Sequence, residues 1–462
     1  MQPIRVLVVD DAAVLRRLVT MALTSADGID VVGTAGDGWA ALDQVERLAP
    51  DLVVMDLEMP ELDGIGAVHE LRRRGRTTPV IMVSAATDDG AEATLRALAA
   101  GATDFFPKPS RASSPAEAVA RVRDGLVPVV RALVPRSAPR PSGPDHAAPG
   151  SVHAGRPVLA QPLPVPAAPV PAPPAPADRA DVQHADVPAA PVAPRRAVPV
   201  PRSVPGPAAR AARPADPAAR GGSARPAPSP ARPAARTSPV APPAQASPAE
   251  ATAGPAARGR AATPHVLALG SSTGGPEALA RLIAALPADL PVPVVITQHM
   301  PPVFTRQLAV RLDRIGALAV REAEHGDDVR VGRVLVAPGD RHLQLRRSGG
   351  EVVAHLSDAA PVNFCRPAVD VMLRSCVDVY GAGVLAVVLT GMGSDGRDGC
   401  ADVRRAGGAV LVQDAETSVV WGMPGAVAGA GLADAVLPLD AVAGAITAAC
   451  RRGAPAVAGS AR

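Results

Sequence analysis

The sequence has few aromatic residues, few cysteines and no long apolar run. Only seven of the 462 residues are Phe, Trp or Tyr, although hydrophobic residues make up 47% of the chain. Its cores must therefore be built from Val, Leu, Ala and Ile, which suits parallel sheets covered by helices. No segment approaches the roughly 18 uninterrupted apolar residues of a membrane span, so the sequence predicts no insertion into a membrane.

The first ten residues lead straight into a predicted strand and lack the basic and apolar regions of a signal peptide. The cysteines are scattered, without metal-ligand spacing or a disulfide framework. We interpret all four as reduced packing residues. Together these features predict a cytoplasmic protein. The cysteines are Cys365, Cys376, Cys400 and Cys450.

The composition changes abruptly between Pro135 and Ala262. These 128 residues hold 32 of the 53 prolines and no aromatic residue. They also carry 15 Arg against six acidic residues, a net charge of +9, which leaves −6 for the rest of a chain whose total is +3. Such composition predicts a disordered linker, and its arginines are typical of a solvated tether. We therefore predict domains at 1–130 and 263–453, joined by a linker at 131–262.

Apolar strands alternate with amphipathic helices on both sides of the linker. The fold class predicted is α/β, with a five-stranded doubly wound N-terminal domain and a second parallel-sheet domain after the linker. Predicted strands in the first domain are 4–9, 31–33, 52–55, 80–83 and 104–106, with a helix over 12–24. Predicted strands in the second are 265–269, 292–297, 333–337, 384–389 and 409–412, with a helix over 276–286.

Polar residues follow the strands of the first domain. Asp10 and Asp11 follow the first strand, and Asp56 and Ser84 follow the third and fourth. The carboxyl ends of parallel strands share one edge, so these groups should converge with Lys108 after the fifth strand. Three carboxylates there would need a hard divalent cation such as Mg²⁺, and Asp56 could accept a phosphoryl group. The alternative is that each aspartate only caps a helix.

The runs VLVVDD, VVMDLEMPELDG, VIMVSA and GATDFFPKP resemble the receiver domain of two-component response regulators, over residues 4 to about 125. The resemblance implies a histidine kinase as phosphodonor. It also implies phosphorylation of Asp56, Mg²⁺ between Asp10, Asp11, Asp56 and the Glu58 backbone carbonyl, phosphate contacts from Ser84 and Lys108, and Phe105 as the switch aromatic.

A second motif, GSSTGGP, follows an apolar strand and precedes a helix in the second domain. A serine in such a turn is held out at the sheet edge near backbone N–H groups that can stabilise an oxyanion. A degenerate dinucleotide loop, a phosphate loop and a plain tight turn are alternatives. The first would need Gly at Ser272, and the second would need Lys after Gly275, where Pro276 stands.

The order of residues along the chain limits the type of hydrolase. The last histidine, His355, precedes the strongest acid candidate, Asp395, so the order Ser, acid, His is excluded. A histidine before the serine would have to be His265 or lie in the first domain or the linker. The order Ser, His, Asp is left.

Four histidines compete for the role of base. His299 ends the apolar run VPVVIT and so lies at the same sheet edge as Ser272, which favours it. His342 is a competitor because it also lies just beyond a strand. His325 and His355 close no run of that kind. Asp395, in the run LTGMGSDG, could equally be a solvated turn residue.

The runs GSSTGGPEAL, VITQHMPPVFT, VLVAPGDRHL, VVLTGMGSDGRDG and SVVWGMPGAV resemble the catalytic domain of chemotaxis CheB methylesterases, over residues 265 to about 450. The resemblance implies Ser272 as nucleophile, His299 as base, Asp395 as orienting acid and the Met392 N–H in the oxyanion hole. It implies hydrolysis of glutamate γ-methyl esters on the cytoplasmic helices of chemoreceptors, with deamidation of glutamines. This chemistry requires no cofactor in the esterase domain.

Two other functions remain open for the sequence. One is a noncatalytic adaptor whose second domain only binds receptors. The other is a transcription factor, which the absence of a helix-turn-helix pattern or a basic recognition helix disfavours, so we predict no nucleic-acid partner.

Overall fold

The computed structural model describes residues 2–108, 114–135 and 262–451. Most of the linker predicted at 131–262 lies outside the described residues. We refer to 2–135 as the N-terminal half and to 262–451 as the C-terminal half. No helix in these described ranges has the length and apolar character that a membrane crossing requires.

The N-terminal half is the predicted five-stranded parallel sheet, and its strands lie in the order β2-β1-β3-β4-β5. Side chains of Asp37, Asp63, Thr87 and Ser114 cap four of its five helices. The elements are β1 (Ile4–Val9), α1 (Ala13–Thr24), β2 (Ile29–Ala35), α2 (Gly38–Leu48), β3 (Leu52–Asp56), α3 (Gly64–Arg73), β4 (Val80–Ser84), α4 (Asp88–Ala99), β5 (Asp104–Pro107) and α5 (Pro115–Leu133).

The C-terminal half is built on a seven-stranded parallel sheet in the order β14-β13-β12-β6-β7-β9-β8. Its elements are β6 (Val266–Ser271), α6 (Gly275–Ala285), β7 (Val294–Gln298), α7 (Pro302–Ile315), β8 (Ala319–Glu322), β9 (Arg333–Val336), β10 (His342–Ser348), β11 (Glu351–Ser357), α8 (Val369–Tyr380), a 3₁₀ turn (Gly381–Gly383), β12 (Val384–Val388), α9 (Arg397–Arg405), β13 (Ala409–Gln413), α10 (Met423–Gly429), β14 (Ala435–Leu437) and α11 (Leu439–Arg451).

The order of the strands in the larger sheet creates a switch point at the carboxyl end of β6. β6 lies at the centre and is fully buried, because the run VLALGS is covered on both faces. The chain leaves β6 toward β7 on one side and later returns to β12 on the other. In open α/β sheets, ligands bind outside the carboxyl ends of the strands at such a switch point.

Four strands of the C-terminal half were not predicted. β8 and β14 are short edge strands. β10 and β11 form an antiparallel hairpin outside the main sheet, with Gly349 and Gly350 at its turn. Both glycines have positive φ, which two-residue hairpin turns require. The alternating pattern of HLQLRRSGGEVVAHLS was thus a signal that the prediction missed.

The two halves pack against each other along α4 and α7. One apolar cluster runs from Leu95 and Leu98 of α4 to Leu308 and Leu312 of α7. Burial of apolar surface therefore contributes to the attraction between the halves.

Candidate active site

Three carboxylates meet where β1 and β3 end. Ligand oxygens of Asp10, Asp11 and Asp56 all lie within 4.8 Å of one another. Asp10 and Asp56 are buried, and Asp11 is exposed. Nζ of Lys108 lies 2.8 Å from the Asp56 carboxylate. Carboxylate oxygens gathered in this way fit a hard divalent cation, which would offset their mutual repulsion.

Burial disfavours the charged forms of the Asp10 and Asp56 carboxyl groups. Desolvation, followed by the charge of Asp56, raises the pKa of Asp10 to about 6. Desolvation also raises the pKa of Asp56, although the hydrogen bond from Lys108 opposes it. A cation entering this pocket would therefore be stabilised.

The other residues predicted for this pocket occupy the same edge. Ser84 ends β4, and its Oγ accepts a hydrogen bond from Thr94 Oγ1 at 2.8 Å. The backbone N–H of Lys108 donates to the Ser84 carbonyl at 2.7 Å. Glu58 is exposed in the loop after β3, and Phe105 is half-buried in β5. The structure brings Asp10, Asp11, Asp56 and Lys108 together, whereas the roles of Ser84, Glu58 and Phe105 stay predictions.

Ser272 stands in the sharp turn between β6 and α6. Gly274 caps α6 with a φ of 74°, and a Cβ there would lie 2.6 Å from side-chain atoms of Val419. Gly391 passes so close that its Cβ would lie 2.9 Å from Cβ of Ser272. Glycine is required at both positions, because a side chain would be strained at the first and would collide at the second.

The two adjacent serines have different environments. Ser271 is fully buried and donates a hydrogen bond to Oε1 of Gln298 at 2.6 Å. The amide of Gln298 in turn donates to the Ser272 carbonyl at 2.9 Å. Ser272 itself is half-buried. The accessible hydroxyl of this turn is therefore that of Ser272.

His299 and Asp395 form a close pair at the carboxyl ends of β7 and β12. Nε2 of His299 lies 2.9 Å from Oδ2 of Asp395. β7 and β12 flank β6 on opposite sides, so the pair lies at the same switch point as Ser272. Among the described residues, no hydrogen bond joins the Ser272 hydroxyl to His299. The structure therefore shows the His–Asp contact directly, and the serine's part in a triad stays a prediction.

The Asp395 carboxylate is held at the N-terminus of α8. Its two oxygens accept the backbone N–H groups of Val369 at 2.6 Å and Asp370 at 3.1 Å. The side-chain amide of Asn363 bridges Asp395 at 3.0 Å and the Asp370 carboxylate at 2.9 Å. Burial alone would raise the pKa of Asp395, but the hydrogen bond with His299 and the further donors hold it below its ordinary value. The positive end of the helix dipole acts in the same direction.

Asn363 and Cys365 were missed as residues of this site. Sγ of Cys365 lies 3.5 Å from Nδ1 of His299, and Cys365 is half-buried, so its interpretation as a packing residue was wrong. The other three cysteines are buried. Neither residue follows a strand of the large sheet, so a prediction based on strand ends could not identify them.

The imidazole of His299 is strongly basic in this setting. Burial alone would lower its pKa, but hydrogen bonds with Asp395 and Cys365 raise it to about 9. Nε2 faces Asp395, so Nδ1 is the nitrogen left for proton transfer.

The competing histidines lie in other environments. His342 is buried, with Nε2 3.1 Å from the Ala360 carbonyl and Nδ1 accepting the Ala368 N–H at 3.2 Å. His325 and His355 pack edge to face beside the hairpin, with ring centroids 4.8 Å apart. His342 is thus buried with both ring nitrogens on backbone groups, whereas His299 lines an open cleft where a substrate could reach it.

Met392 lies in the loop between β12 and α9. Its backbone N–H donates no hydrogen bond to another backbone group of the described residues. The preceding residue, Gly391, is the one whose backbone passes close to Ser272. This position agrees with a free donor near the serine, and its oxyanion role stays a prediction.

The N-terminal half contacts the C-terminal half close to this site. Phe105 stacks on Phe304 of α7, with ring centroids 4.5 Å apart and planes inclined by 24°. Burial raises the pKa of Asp104 to about 6, and the side chain of Thr273, the residue after Ser272, is near enough to oppose that rise. Asp88 lies 3.6 Å from the Arg306 guanidinium. The half that carries Asp56 therefore touches the turn that carries Ser272.

Comparisons with known proteins find a family match for each half of the chain. The family model described as CheB methylesterase matches residues 267–446, and the response regulator receiver domain model matches residues 6–120. A Nocardioides sp. protein named protein-glutamate methylesterase/protein-glutamine glutaminase is 41% identical over 441 residues, covering 95% of this chain and 93% of its own. A protein of the same name from Symbiobacterium thermophilum is 40% identical, with 98% of each chain covered.

Among solved structures, the CheB methylesterase catalytic domain of Thermotoga maritima is 44% identical, covering 40% of this chain and 99% of that one, with a TM-score of 0.40. The receiver domain of Thermotoga maritima CheB is 40% identical, covering 28% and 95%, with a TM-score of 0.26. On the full-length identity and the matched family models, the chain belongs to the CheB methylesterase family and carries a response regulator receiver domain before its methylesterase domain.

Proposed function

We propose that this chain is a phosphorylation-activated serine esterase that hydrolyses glutamate γ-methyl esters on chemoreceptors and deamidates receptor glutamines. The observation that carries the proposal is the His299–Asp395 pair at the switch point beside the Ser272 turn. The names of the full-length relatives support the substrate class. A noncatalytic adaptor would have no use for an accessible serine beside a histidine that is held by a buried aspartate.

The proposed reaction begins with attack by Ser272 on the ester carbonyl. Nδ1 of His299 takes the hydroxyl proton, and Asp395 fixes the ring and stabilises the imidazolium through Nε2. Apo active sites often show long catalytic hydrogen bonds, so the hydroxyl and Nδ1 would approach only when substrate binds. The backbone N–H of Met392 would donate to the oxyanion of the tetrahedral intermediate.

Collapse of that intermediate breaks the bond between the carbonyl carbon and the leaving group. His299 returns the proton to the leaving oxygen, so methanol departs and an acyl-serine is left. Water, deprotonated by His299, then attacks the acyl-serine. The bond between the carbonyl carbon and Oγ of Ser272 breaks, His299 returns the proton to that oxygen, and the glutamate side chain is released. For a glutamine the same steps release ammonia. The chain's own residues suffice for these steps, and none of them needs a cofactor in the methylesterase domain.

Asp56 is the proposed phosphoacceptor. Its carboxylate would attack the phosphoryl group of a histidine kinase, with Lys108 and Ser84 binding the phosphoryl oxygens. Asp10, Asp11, Asp56 and the Glu58 carbonyl would hold Mg²⁺, which neutralises charge on the phosphoryl group when bound. The donor set fits, because Asp10 and Asp56 are buried carboxylates with raised pKa values.

Contact between the halves provides the proposed control. In the unphosphorylated protein the receiver domain touches Thr273 and stacks Phe105 on Phe304 beside the active site. Movement of Ser84 and Phe105 toward a phosphorylated Asp56 would weaken that stack. The population would then shift from covered to open active sites. The partners proposed, a chemotaxis histidine kinase and the cytoplasmic helices of chemoreceptors, place the protein in the cytoplasm.

Release of methanol from methylated receptor membranes, with and without a small-molecule phosphodonor, tests the proposal. We expect the wild-type protein to release methanol and to be stimulated by the donor. Asp56→Asn should keep basal release and lose stimulation, because an amide is a poor phosphate acceptor. The matched control is Asp63→Asn, which keeps the cap of α3 and should be stimulated normally. Receptor binding without methanol release would support the adaptor instead.

A further inference from the structure

The Cys365 thiol contacts His299, but the esterase reaction does not use the thiol. The thiol lies 3.5 Å from Nδ1 of His299, and both side chains belong to one group of possible metal ligands together with Asp395. Tetrahedral Zn²⁺ binds sulfur at about 2.3 Å and imidazole nitrogen at about 2.0 to 2.1 Å, which places the two donor atoms about 3.6 Å apart. The observed separation therefore matches that of two ligands on one zinc ion.

Asp395, the third member of this group, lies where a carboxylate commonly orients a histidine that binds zinc. Asp395 contacts the other nitrogen, Nε2, at 2.9 Å. Histidines that ligate metals usually donate their second N–H to a carboxylate, which orients the ring and raises its basicity. Asp395 is itself fixed by the first N–H groups of α8. The imidazole is therefore already held in the orientation that ligation through Nδ1 requires.

A tight turn fixes the thiol on the opposite side. Val362 and Cys365 exchange backbone hydrogen bonds of 2.9 and 3.1 Å. The two residues between them, Asn363 and Phe364, both have positive φ. Asn363 ties the turn to Asp395 through its side chain, so the sulfur is held against the imidazole.

Solvent reaches the pair directly. Cys365 and His299 line an open cleft of about 440 Å³ together with Met300, Pro301 and Arg366. A hydrated ion can therefore enter and keep water ligands in its remaining positions. A thiolate and an imidazole are ligands that select zinc over hard cations such as Mg²⁺.

We propose that Zn²⁺ binds between Sγ of Cys365 and Nδ1 of His299 and reversibly inhibits the enzyme. Binding releases to solvent the thiol proton and, where the imidazole is protonated, the Nδ1 proton. The ion then occupies the nitrogen that must accept the proton of Ser272. Zinc is thus an inhibitor of this site, and the esterase reaction does not require it. The inhibition rests on the proposed esterase function, whereas the binding does not.

Zinc titration of the full-length protein tests the inhibition. Each variant is compared with its own rate in the absence of zinc. We expect micromolar-range zinc to inhibit the wild type, and Cys365→Ser to need at least about tenfold more zinc. The control is His355→Ala, which breaks the His325–His355 ring contact beside the hairpin and should leave inhibition unchanged. Equal inhibition of wild type and Cys365→Ser would overturn the proposal.

Cobalt binding tests the site without any activity. Co²⁺ bound to a thiolate gives a sulfur-to-metal charge-transfer band in the near ultraviolet, which carboxylate ligands of the receiver pocket do not give. We expect this band in the wild type and in Ser272→Ala, and its loss in Cys365→Ser and His299→Ala. Zinc should displace the cobalt and abolish the band. A band that persists in Cys365→Ser would refute the site, whatever the outcome of the esterase assays.

Discussion

Phe105 of the receiver domain and Phe304 of the methylesterase domain stack with their ring centroids 4.5 Å apart. Phe304 is fully buried, and Phe105 lies on the strand that ends beside Lys108. This stack joins the pocket of Asp56 to the helix that packs beside the active site. We therefore predict that phosphorylation changes access to Ser272 through this contact.

Phe304→Leu should raise the basal esterase rate and reduce the fold-stimulation by phosphodonor. An aromatic pair contributes about 0.5 to 1.5 kcal/mol beyond its buried area, so the rise should be about 2- to 10-fold. Val310→Ala, an exposed change on the same helix, is the control and should alter neither rate. A basal rate that stays at the wild-type level would show that the stack does not hold the covered state.

The pH dependence of the basal rate should report His299. The base must be neutral to accept a proton, and its pKa of about 9 means that activity rises with pH toward and through that value. Cys365→Ala removes one of the interactions that raise this pKa, so the rise should move to lower pH. The measurement is kcat/KM from pH 6 to 10 with a chelator present and uncatalysed hydrolysis subtracted. A rise that stays in place or moves to higher pH in the variant would contradict the assigned contact.

Asn363→Ala should destabilise the active site and slow the reaction. The change removes donors to the buried Asp395 and to Asp370, and a buried acceptor left without its partner costs about 1 to 3 kcal/mol. Urea unfolding should show that loss, and kcat should fall with it. Phe364→Ala, at the neighbouring left-handed position, keeps these hydrogen bonds and should unfold like the wild type. Equal stability of the two variants would mean that Asn363 does not support the acid.

The site residues that follow buried central strands of the parallel sheets could be predicted from the sequence, whereas the short edge strands β8 and β14 could not. Asp10, Asp56, His299 and Asp395 follow buried apolar runs, and parallel strands bring their carboxyl ends to one edge. Positions set by loops could not be predicted in this way. Cys365 reaches His299 because a turn with two left-handed residues folds back on itself, and no periodicity marks such a turn.

Contacts between the two domains could not be predicted from the sequence either. In the sequence, Phe304 has the pattern of an ordinary apolar residue of a helix. It contacts Phe105 only because α4 packs on α7. The hairpin of β10 and β11 is different, because its Gly-Gly turn between alternating runs was a local signal. The hairpin was not predicted because the strand predictions relied on buried apolar runs, and its strands are only partly buried.

We predict that the Ser272 hydroxyl is the nucleophile, and the adjacent serine provides a matched comparison. Ser271→Ala removes a buried hydroxyl that bonds only Gln298 among the described residues, so it should retain methanol release within about tenfold of wild type. Ser272→Ala should lower methanol release from methylated receptor membranes by about 10³-fold or more while the protein stays folded. Retention of more than about a tenth of the wild-type rate by Ser272→Ala would contradict the account.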